Sequence, residues 1–272
     1  MITKPVLRWP GGKGRHLKKL LPLIPEHTCY VEPFAGGLAL LLAKERSGVE
    51  VVNDINRDLV ALYRCAQFHI DALCEELKWV ISSRVGIQEY KQNRGLTDLQ
   101  RAARFLIANR TSFGGTLRGY AVQRTKGGGA SVCKAYVIES LHRLHDRLDK
   151  VLIENLDWTH CLKLYDSADT FFFIDPPYLN ANINIYDGWT EAKLTDLRNA
   201  LRTLKGKWVL TVDGSDFCRK LFREWDCYLF DMSNKCVNSN VRLGARFKEM
   251  IVTPAGLPGP HRVSSEGVGL AG

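Results

Sequence analysis

An apolar run that ends in a carboxylate, two prolines and a tyrosine combines residue types that could bind and activate a ligand. Phe171 to Ile174 is predicted to be a buried strand, and Asp175-Pro176-Pro177-Tyr178 follows it directly. The prolines cannot donate backbone hydrogen bonds, so the strand must end there and the turn is stiff. The carboxylate, the bare carbonyl groups and the aromatic ring suit a flat ligand with an exocyclic amine. The alternative is an ordinary strand end followed by a proline turn.

Two glycine-rich loops elsewhere in the chain would let the backbone approach a ligand closely. Arg8-Trp9-Pro10-Gly11-Gly12-Lys13 places a cation at the edge of its loop, although it lacks the spacing of a Walker phosphate-binding loop. The strand Cys29–Val31 leads into Glu32-Pro33-Phe34-Ala35-Gly36-Gly37, and Leu38 to Lys44 is expected to form a helix. A strand, a glycine turn and a helix in this order are typical of the nucleotide-binding start of a doubly wound sheet.

Asp54 follows the second predicted strand, Val49–Val52, about twenty residues after the glycine turn. An acid at this position is placed to accept hydrogen bonds from the hydroxyl groups of a ribose. It could also cap the helix that begins near Arg57, and one carboxylate could do both. The glycine turn and the acid together favour an adenosine-containing cofactor.

Positive charge is concentrated in one part of the chain. Between Arg84 and Lys150, thirteen Lys or Arg residues stand against five Asp or Glu, so this segment carries eight of the nine net positive charges. Within it, the glycine-rich stretch Asn109 to Tyr120 is predicted to be a hairpin laid against nucleic acid, with Arg124 and Lys126 in a turn beyond it. Cations would contact phosphates and planar groups would contact bases. The alternative is a basic surface without a polyanionic partner.

The overall composition is that of an ordinary soluble protein, with 45% hydrophobic and 25% charged residues among 272. This length allows one large domain or one domain with a sizeable insertion. No apolar run is long enough to cross a membrane, and the N-terminus lacks the apolar core of a signal peptide. The eight cysteines include no Cys-x-x-Cys pair, so they predict a reduced, cytoplasmic protein without a zinc site or a disulfide framework.

Hydrophobic periodicity and turn residues divide the chain into alternating strands and helices, which predicts a doubly wound α/β fold. The tail beyond Pro254 is rich in Gly, Pro and Ser and is predicted to be disordered. Strands are predicted at 29–31, 49–52, 151–155, 171–174, 208–212, 227–232 and 247–253, and helices at 17–23, 38–44, 57–82, 99–108, 136–148, 194–204 and 217–225.

Six groups of residues follow one another along the chain: Arg8-Trp9-Pro10-Gly11-Gly12-Lys13, Val31-Glu32-Pro33-Phe34, Asn53-Asp54-Ile55-Asn56, Leu59-Val60-Ala61-Leu62-Tyr63, Asp175-Pro176-Pro177-Tyr178, and Ser239-Asn240 with Arg246-Phe247-Lys248-Glu249. In this order they resemble the D12 class (Dam-type, alpha group) of DNA adenine-N6 methyltransferases. The resemblance implies an α/β fold with a Rossmann-like, S-adenosylmethionine-dependent sheet and an inserted, mostly helical target-recognition domain that contains a hairpin. It assigns residues 1–56 and 151–254 to the catalytic domain, 57–150 to the insertion and 255–272 to a disordered tail.

The resemblance also implies roles for particular residues. The cofactor site would be lined by Trp9, Lys13, Phe34, Asp54, Asp157 and Asp175. The adenine would be held by Asp175, the carbonyl group of Pro176 and the ring of Tyr178. DNA would be contacted by Arg8, Asn109, Arg110, Arg118, Arg124 and Lys126. No metal is implied, and the protein is expected to act on double-stranded DNA as a monomer or a weak dimer.

The implied reaction transfers the methyl group of S-adenosylmethionine to N6 of an adenine that is flipped out of the duplex. Hydrogen bonds to Asp175 and Pro176 would favour a pyramidal amine, and direct in-line transfer needs alignment but no covalent enzyme intermediate. The hairpin departs from the family pattern at Gly114, where an Asn is usual, and one residue is inserted. The family's usual GATC target, or a related site, is therefore an expectation only. Cytosine-N4 methylation, an RNA- or protein-directed methyltransferase and an inactive DNA-binding module are the alternatives.

Overall fold

A seven-stranded sheet lies at the centre of the computed structural model, which describes residues 4–80, 84–117, 119, 133–179, 189–232 and 247–257. The strands are β1 (Cys29–Glu32), β2 (Val49–Asn53), β3 (Val151–Glu154), β4 (Thr170–Ile174), β5 (Lys207–Asp213), β6 (Asp226–Met232) and β7 (Phe247–Thr253). Their order in the sheet is β3-β2-β1-β4-β5-β7-β6. The first five are parallel, whereas β7 is antiparallel to both of its neighbours.

Helices connect most of the strands and cover the sheet. None of the helices that the structure describes is long and apolar enough to span a membrane. The helices are α1 (Leu17–Leu20), α2 (Arg57–Phe68), α3 (Ile70–Trp79), α4 (Arg84–Gln92), α5 (Asp98–Thr111), α6 (Lys134–Leu148), α7 (Trp158–Tyr165), α8 (Glu191–Leu201) and α9 (Asp216–Leu221), with short 3-10 turns at Lys13–Arg15, Leu21–Leu23 and Phe113–Gly115.

Successive residues of the central strands point to opposite faces of the sheet, and both faces are covered. In β4, Phe171 and Phe173 pack in the core on one face, whereas Phe172 and Ile174 pack in the core on the other. Side chains of α1 to α6 complete the first core, and side chains of α7, α8 and α9 complete the second. Burial on both faces explains why the sequence of β4 is continuously apolar.

The order of the strands reverses at β1, because β2 and β3 lie on one side of it and β4 and β5 lie on the other. Open parallel sheets bind ligands outside the carboxyl ends of the strands at such a switch point. The register keeps these ends level, since Val31 of β1 pairs with Val51 of β2 and with Phe172 of β4. The topology therefore directs the search for a site to the segments that follow β1 and β4.

All seven predicted strands are confirmed to within one residue at each end, but the helix predicted for Leu38 to Lys44 is wrong. These residues form successive turns. Leu38 has a positive φ of 59°, and the backbone N–H of Leu41 donates to the buried Glu32 carboxylate at 2.9 Å. Backbone bonds from the Leu42 N–H to Leu38 and from the Lys44 N–H to Leu40 remain, both at 3.0 Å, but the side-chain acceptor takes the Leu41 N–H and the turns do not join into a regular helix.

Other helices also differ from the sequence prediction. The single helix expected over residues 57–82 is divided into α2 and α3 at His69, whose φ of −137° and ψ of 42° are not helical. Helices α4 and α7 are absent from the sequence prediction. In α7 the carboxylate of Asp157 accepts the Thr159 N–H at 2.9 Å and supplies the N-cap of a helix that is only eight residues long.

Residues 57–150, which the sequence predicts to be a recognition domain, share a core with the sheet. Leu59 and Leu62 of α2 pack in the same cluster as Tyr30 of β1 and Val52 of β2. Helix α2 also contacts α5 and α6. Packing is therefore continuous from the sheet into these helices, and the separate inserted domain with its boundaries stays a prediction.

Candidate active site

Four neighbouring strands are followed by the residues that the sequence predicts to bind a ligand. Phe34 follows β1, Asp54 follows β2, Asp157 follows β3 and Asp175 follows β4. Because these strands are parallel and adjacent, their carboxyl ends meet at one edge of the sheet. The N-terminal glycine loop reaches the same edge, since Lys13 Nζ lies 2.7 Å from Asp175 Oδ1.

The buried ammonium group of Lys13 lies between two carboxylates. Its Nζ is 2.7 Å from Asp175 Oδ1 and 3.1 Å from Glu249 Oε1, and it donates to the Gly11 carbonyl oxygen at 2.9 Å. Burial alone would lower the pKa of Lys13, but the two carboxylates outweigh burial and raise this pKa above its usual value. Lys13 is therefore positively charged at neutral pH, and with both carboxylates ionised the three groups carry a net negative charge.

The Asp175 carboxylate is held by one residue of a neighbouring strand and one residue of the N-terminal loop. Its Oδ1 accepts a hydrogen bond from Thr211 Oγ1 of β5 at 2.7 Å and also contacts Lys13. Both of these contacts use Oδ1, and a carboxylate has further acceptor directions on its second oxygen. Burial raises the pKa of Asp175, while the charge of Lys13 opposes this effect. Pro176 is buried directly after it.

The Tyr178 ring is fixed beside the ion pair of Lys13 and Asp175. Its hydroxyl group donates to Glu249 Oε1, and Lys13 Nζ lies 4.9 Å from the centre of its ring. Burial raises the pKa of Tyr178 well above its usual value, and the negative charges of Asp175 and Glu249 add to this effect. The hydroxyl group therefore stays protonated as a donor, and the ring keeps one position next to Asp175.

Asp54 stabilises the turns at the ends of β1 and β2. It is buried, its Oδ2 accepts the Gly36 N–H at 3.0 Å, and its Oδ1 accepts the Asn56 N–H at 2.9 Å. Asn56 is the residue that caps α2, because its side chain accepts from the N–H groups of Asp58 and Leu59. The alternative role of Asp54 as the helix cap is therefore wrong, and its contact with a ribose stays a prediction.

Trp9 packs against the glycine turn that follows β1. A Cβ atom on Gly36 would lie 2.8 Å from Trp9 Nε1, and Gly36 has a φ of +46°, so only glycine fits there without strain. The hydroxyl group of Tyr63 donates to the Gly36 carbonyl oxygen from the side of α2. The N-terminal loop and the glycine turn thus form one packed unit at the edge of the sheet.

Three aromatic rings cluster near the end of β1. The ring centre of Phe34 lies 6.3 Å from that of Trp158 and 5.4 Å from that of Trp189, and the two tryptophan rings are 6.3 Å apart. Within the described part of the chain, the buried Trp189 Nε1 has no hydrogen-bond partner. Asp157 is exposed beside Trp158. This cluster offers stacking surfaces and one polar donor to a flat ring.

The residues predicted to contact DNA are placed in different environments. Arg8 is exposed, whereas the Arg110 guanidinium donates to the Val6 carbonyl oxygen at 3.2 Å and burial lowers its pKa. Asn109 is 0% exposed and its side chain binds backbone groups of Arg8, so its surface is not accessible to DNA in this structure. Outside the described residues lie Arg118, Arg124 and Lys126.

Sequence reasoning missed Glu249, Thr211 and His16 as parts of this site. Glu249 is near the start of β7, and an antiparallel strand places its first residues at the edge where its parallel neighbours end. His16 Nε2 lies 3.5 Å from Glu249 Oε2, and burial lowers the pKa of this histidine. Glu249 belongs to the group Arg246-Phe247-Lys248-Glu249 that carries the family resemblance, but its place in the site follows only once the direction of β7 is known.

Three curated relatives of the chain are named type II methyltransferases. Type II methyltransferase M.CviBI of Paramecium bursaria Chlorella virus NC1A is 27% identical over 229 residues, which cover 80% of this chain and 86% of that protein. Type II methyltransferase M.MjaIII of Methanocaldococcus jannaschii is 28% identical and covers 67% and 71%. Type II methyltransferase M1.LlaDCHI of Lactococcus lactis subsp. cremoris is 24% identical and covers 93% and 96%.

A family model matches most of the chain. The model of the D12 class N6 adenine-specific DNA methyltransferases matches residues 9–235, a range that includes Asp54, Asp157 and Asp175. The seven-stranded, mostly parallel sheet fits a methyltransferase fold. This family acts on N6 of adenine in DNA, which decides against the cytosine-N4, RNA and protein alternatives. The chain therefore belongs to the D12 class of N6 adenine-specific DNA methyltransferases.

Proposed function

We propose that this enzyme methylates an adenine that is flipped out of duplex DNA and held by Asp175, Pro176 and Tyr178. The observation that carries the proposal is the Asp175 carboxylate, which Thr211 and Lys13 hold beside the Tyr178 ring. A carboxylate and a prolyl carbonyl group accept the two N–H bonds of an adenine amine, and an adjacent ring stacks on the base. Extrusion is needed because the amine of a stacked, paired base is out of reach.

S-adenosylmethionine, whose use the family implies, supplies an electrophilic methyl group when it is bound. The residues fit this cofactor in two respects. The net negative charge around Lys13 suits a sulfonium cation, and the buried Trp189 Nε1, which lacks a partner among the described residues, suits a ring nitrogen of the adenosine. Within that part of the chain no group of three or more His, Cys, Asp or Glu side chains could hold a metal ion. To the cofactor site we assign Trp9, Lys13, Phe34, Asp54, Asp157 and Asp175.

The residues of the chain prepare the adenine amine for attack. The lone pair of N6 is delocalised into the ring, so the planar amine is a poor nucleophile. Acceptors at Asp175 and Pro176 that bind the pyramidal amine better than the planar one return the lone pair to nitrogen. Tyr178, anchored through its hydroxyl group on Glu249, sets the plane of the base. Alignment then permits direct transfer, and the raised pKa of Asp175 suits it to accept the proton that N6 loses.

Recognition of the DNA target is assigned to the basic segment from Arg84 to Lys150. Support comes from its charge, thirteen Lys or Arg against five Asp or Glu, and from the position of the turn at Phe113–Gly115 beside the exposed Arg8. We expect the predicted hairpin and its Arg118 to contact the target within an inserted recognition domain. A GATC or related target, action as a monomer or weak dimer, and a cytoplasmic location stay predictions.

The test uses purified protein, S-adenosylmethionine labelled in its methyl group, and duplex DNA. We expect label in N6-methyladenine after digestion to nucleosides, and Asp175→Ala should lower kcat by about 1,000-fold because an acceptor that acts in the transition state is lost. Asp196→Ala, at an exposed position of α8, is the matched control and should retain wild-type activity. Label found only in methylcytosine, or full activity of Asp175→Ala, would contradict the proposal.

A further inference from the structure

The side chain of Asn109 at the end of α5 joins two segments that are far apart in sequence. Its Oδ1 accepts the backbone N–H of Arg8 at 2.9 Å, and its Nδ2 donates to the carbonyl oxygens of Arg8 at 3.0 Å and Gly115 at 3.1 Å. The residue is 0% exposed. Three hydrogen bonds from one buried amide therefore hold the turn after α5 against the N-terminal loop.

Gly115 brings the backbone of the turn against the backbone of Arg8. It has a φ of +73°, and a Cβ atom added to it would lie 1.7 Å from the Arg8 carbonyl oxygen. The turn and the loop are therefore in direct backbone contact, with no space for a side chain between them. A fourth hydrogen bond ties the end of α5 to the same N-terminal segment, because Arg110 Nη1 donates to the Val6 carbonyl oxygen at 3.2 Å.

The loop that is held in this way also delivers Lys13 to the active site. A turn closed by the hydrogen bond from the Gly12 N–H to the Trp9 carbonyl oxygen, at 3.0 Å, separates Arg8 from Lys13. Lys13 Nζ then lies 2.7 Å from Asp175 Oδ1. A displacement of Arg8 would therefore be transmitted through this hydrogen-bonded turn to the group that holds the Asp175 carboxylate.

We propose that Asn109 and Gly115 form a clamp that sets the position of the DNA-reading turn relative to the methyl-transfer centre. Asn109 is then a positioning residue that couples target selection to catalysis, and it does not touch DNA itself. The role of the turn in reading DNA rests on the proposed function. With the clamp intact, a base held correctly by the turn is also aligned with Asp175; without it, the two events become independent.

The test compares Asn109→Ala and Gly115→Ala with a matched control, Thr111→Val. Thr111 is buried on the same helix, and among the residues that the structure describes its hydroxyl group donates only to the helix carbonyl groups of Ile107 and Ala108. The target is first identified by sequencing the methylated sites that the wild-type enzyme produces. Single-turnover and steady-state methylation are then measured on duplexes with that target and on duplexes with one base pair changed, and binding of S-adenosylmethionine to the free protein is measured by calorimetry.

Both clamp variants should lower kcat on the target by about 100-fold, the size of effect that a misplacement of about 1 Å produces. Their preference for the target over the changed duplexes should fall by about tenfold, which corresponds to one specific base contact. Affinity for S-adenosylmethionine should fall by less than kcat does, because Asn109 reaches the cofactor site only through the loop that carries Lys13. Thr111→Val should keep the wild-type kcat and preference even where it lowers stability.

Wild-type kcat and target preference in Asn109→Ala would overturn the clamp, as would an equal loss in Thr111→Val, which would show a merely structural role. If Asn109→Ala fails to fold, Asn109→Asp keeps the acceptor for the Arg8 N–H, loses both donors, and should show the same loss of preference. Failure of the proposed function gives a different result, because then the wild-type enzyme itself would transfer no label to adenine.

Discussion

Lys13 is the residue on which the electrostatics of the active site depend. A lone ammonium buried to this extent would favour its neutral form, and only the carboxylates of Asp175 and Glu249 keep it charged. Two carboxylates contact one ammonium group, so the site has an excess of negative charge that suits a second cation. Lys13, Asp175 and Glu249 must therefore be treated as one unit, since removal of any member changes the charge balance around the other two.

Replacement of Glu249 separates the effect of its charge from that of its hydrogen bond. Glu249→Gln keeps an acceptor for the Tyr178 hydroxyl group but removes one negative charge, so we expect weaker binding of S-adenosylmethionine and a loss in kcat of about tenfold or less. Glu249→Ala also frees the Tyr178 ring, and kcat should fall by about 100-fold. Steady-state kinetics and calorimetry measure the two effects.

Glu139→Ala is the control for this pair, because the Glu139 carboxylate forms only an exposed salt bridge with Arg143 on α6. It should behave as wild type in both measurements. Wild-type kcat in Glu249→Ala would show that Tyr178 needs no anchor on β7. Equal defects in Glu249→Gln and Glu249→Ala would show that charge, and not the position of Tyr178, is what Glu249 supplies.

Among the structural elements, the segment after β1 is organised by a buried carboxylate and not by a regular helix. Glu32 at the end of β1 is 2% exposed, and its Oε1 accepts from the Tyr30 hydroxyl group at 2.6 Å and from the Leu41 N–H at 2.9 Å. The surrounding leucines of the segment are buried. This carboxylate therefore stabilises the connection that carries Phe34 and the glycine turn into the active site.

The burial of Glu32 makes the stability of the enzyme depend on pH. Burial raises the pKa of Glu32 to about 7, although the hydrogen bond from Tyr30 opposes this, whereas in the unfolded chain the value is near 4.5. The folded protein binds this proton more tightly, so the stabilisation is complete below about pH 4.5 and is lost as the pH rises through about 7. Relative to Glu32→Gln, the wild-type protein should lose about 2–3 kcal/mol of unfolding free energy between about pH 5 and pH 8.

Urea unfolding at the two pH values measures this difference. The comparison with Glu32→Gln removes the contributions of other titrating groups, because those are common to both proteins. Parallel stability curves for the two proteins would contradict the assignment and would mean that Glu32 is ionised in the folded protein throughout this range.

On the scale of the whole molecule, the active site and the basic segment depend on different forces. The active site lies at the carboxyl ends of the strands and works through a few buried charges. The basic segment from Arg84 to Lys150 includes α4, α5 and α6, and it carries most of the net charge of the chain. Long-range attraction to a polyanion is therefore expected from this segment and not from the active site.

Binding of duplex DNA should depend strongly on salt, while binding of the cofactor should not. With about four phosphate contacts, DNA affinity falls roughly 100-fold between about 50 and 200 mM salt, because each contact releases condensed counterions. Binding of S-adenosylmethionine to the free enzyme, which is governed by buried groups, should change by less than about twofold over the same range. Fluorescence anisotropy and calorimetry measure the two affinities, and a DNA affinity that is independent of salt would contradict the assignment of the basic segment.

The strands could be predicted because their signal is local. A continuous apolar run such as Phe171 to Ile174 reports burial on both faces without any knowledge of its neighbours. The segment from Leu38 to Lys44 was predicted wrongly because its leucines also form an apolar run, and no local pattern shows that the Leu41 N–H will be taken by Glu32. The break at His69 was missed for a related reason, since the apolar spacing continues across it.

The sequence by itself determined the alternation of strands and helices, the groups at the strand ends, and hence the family and its chemistry, because these depend on residue type and short-range spacing. Only the tertiary structure decided that Glu249 and Thr211 join Asp175, since this follows from the direction and neighbours of β7 and β5. It also decided that Asn109 faces inward, because that side chain is hydrogen-bonded to backbone groups of a loop about a hundred residues away in the chain. Contacts between distant segments depend on packing, which local patterns do not contain.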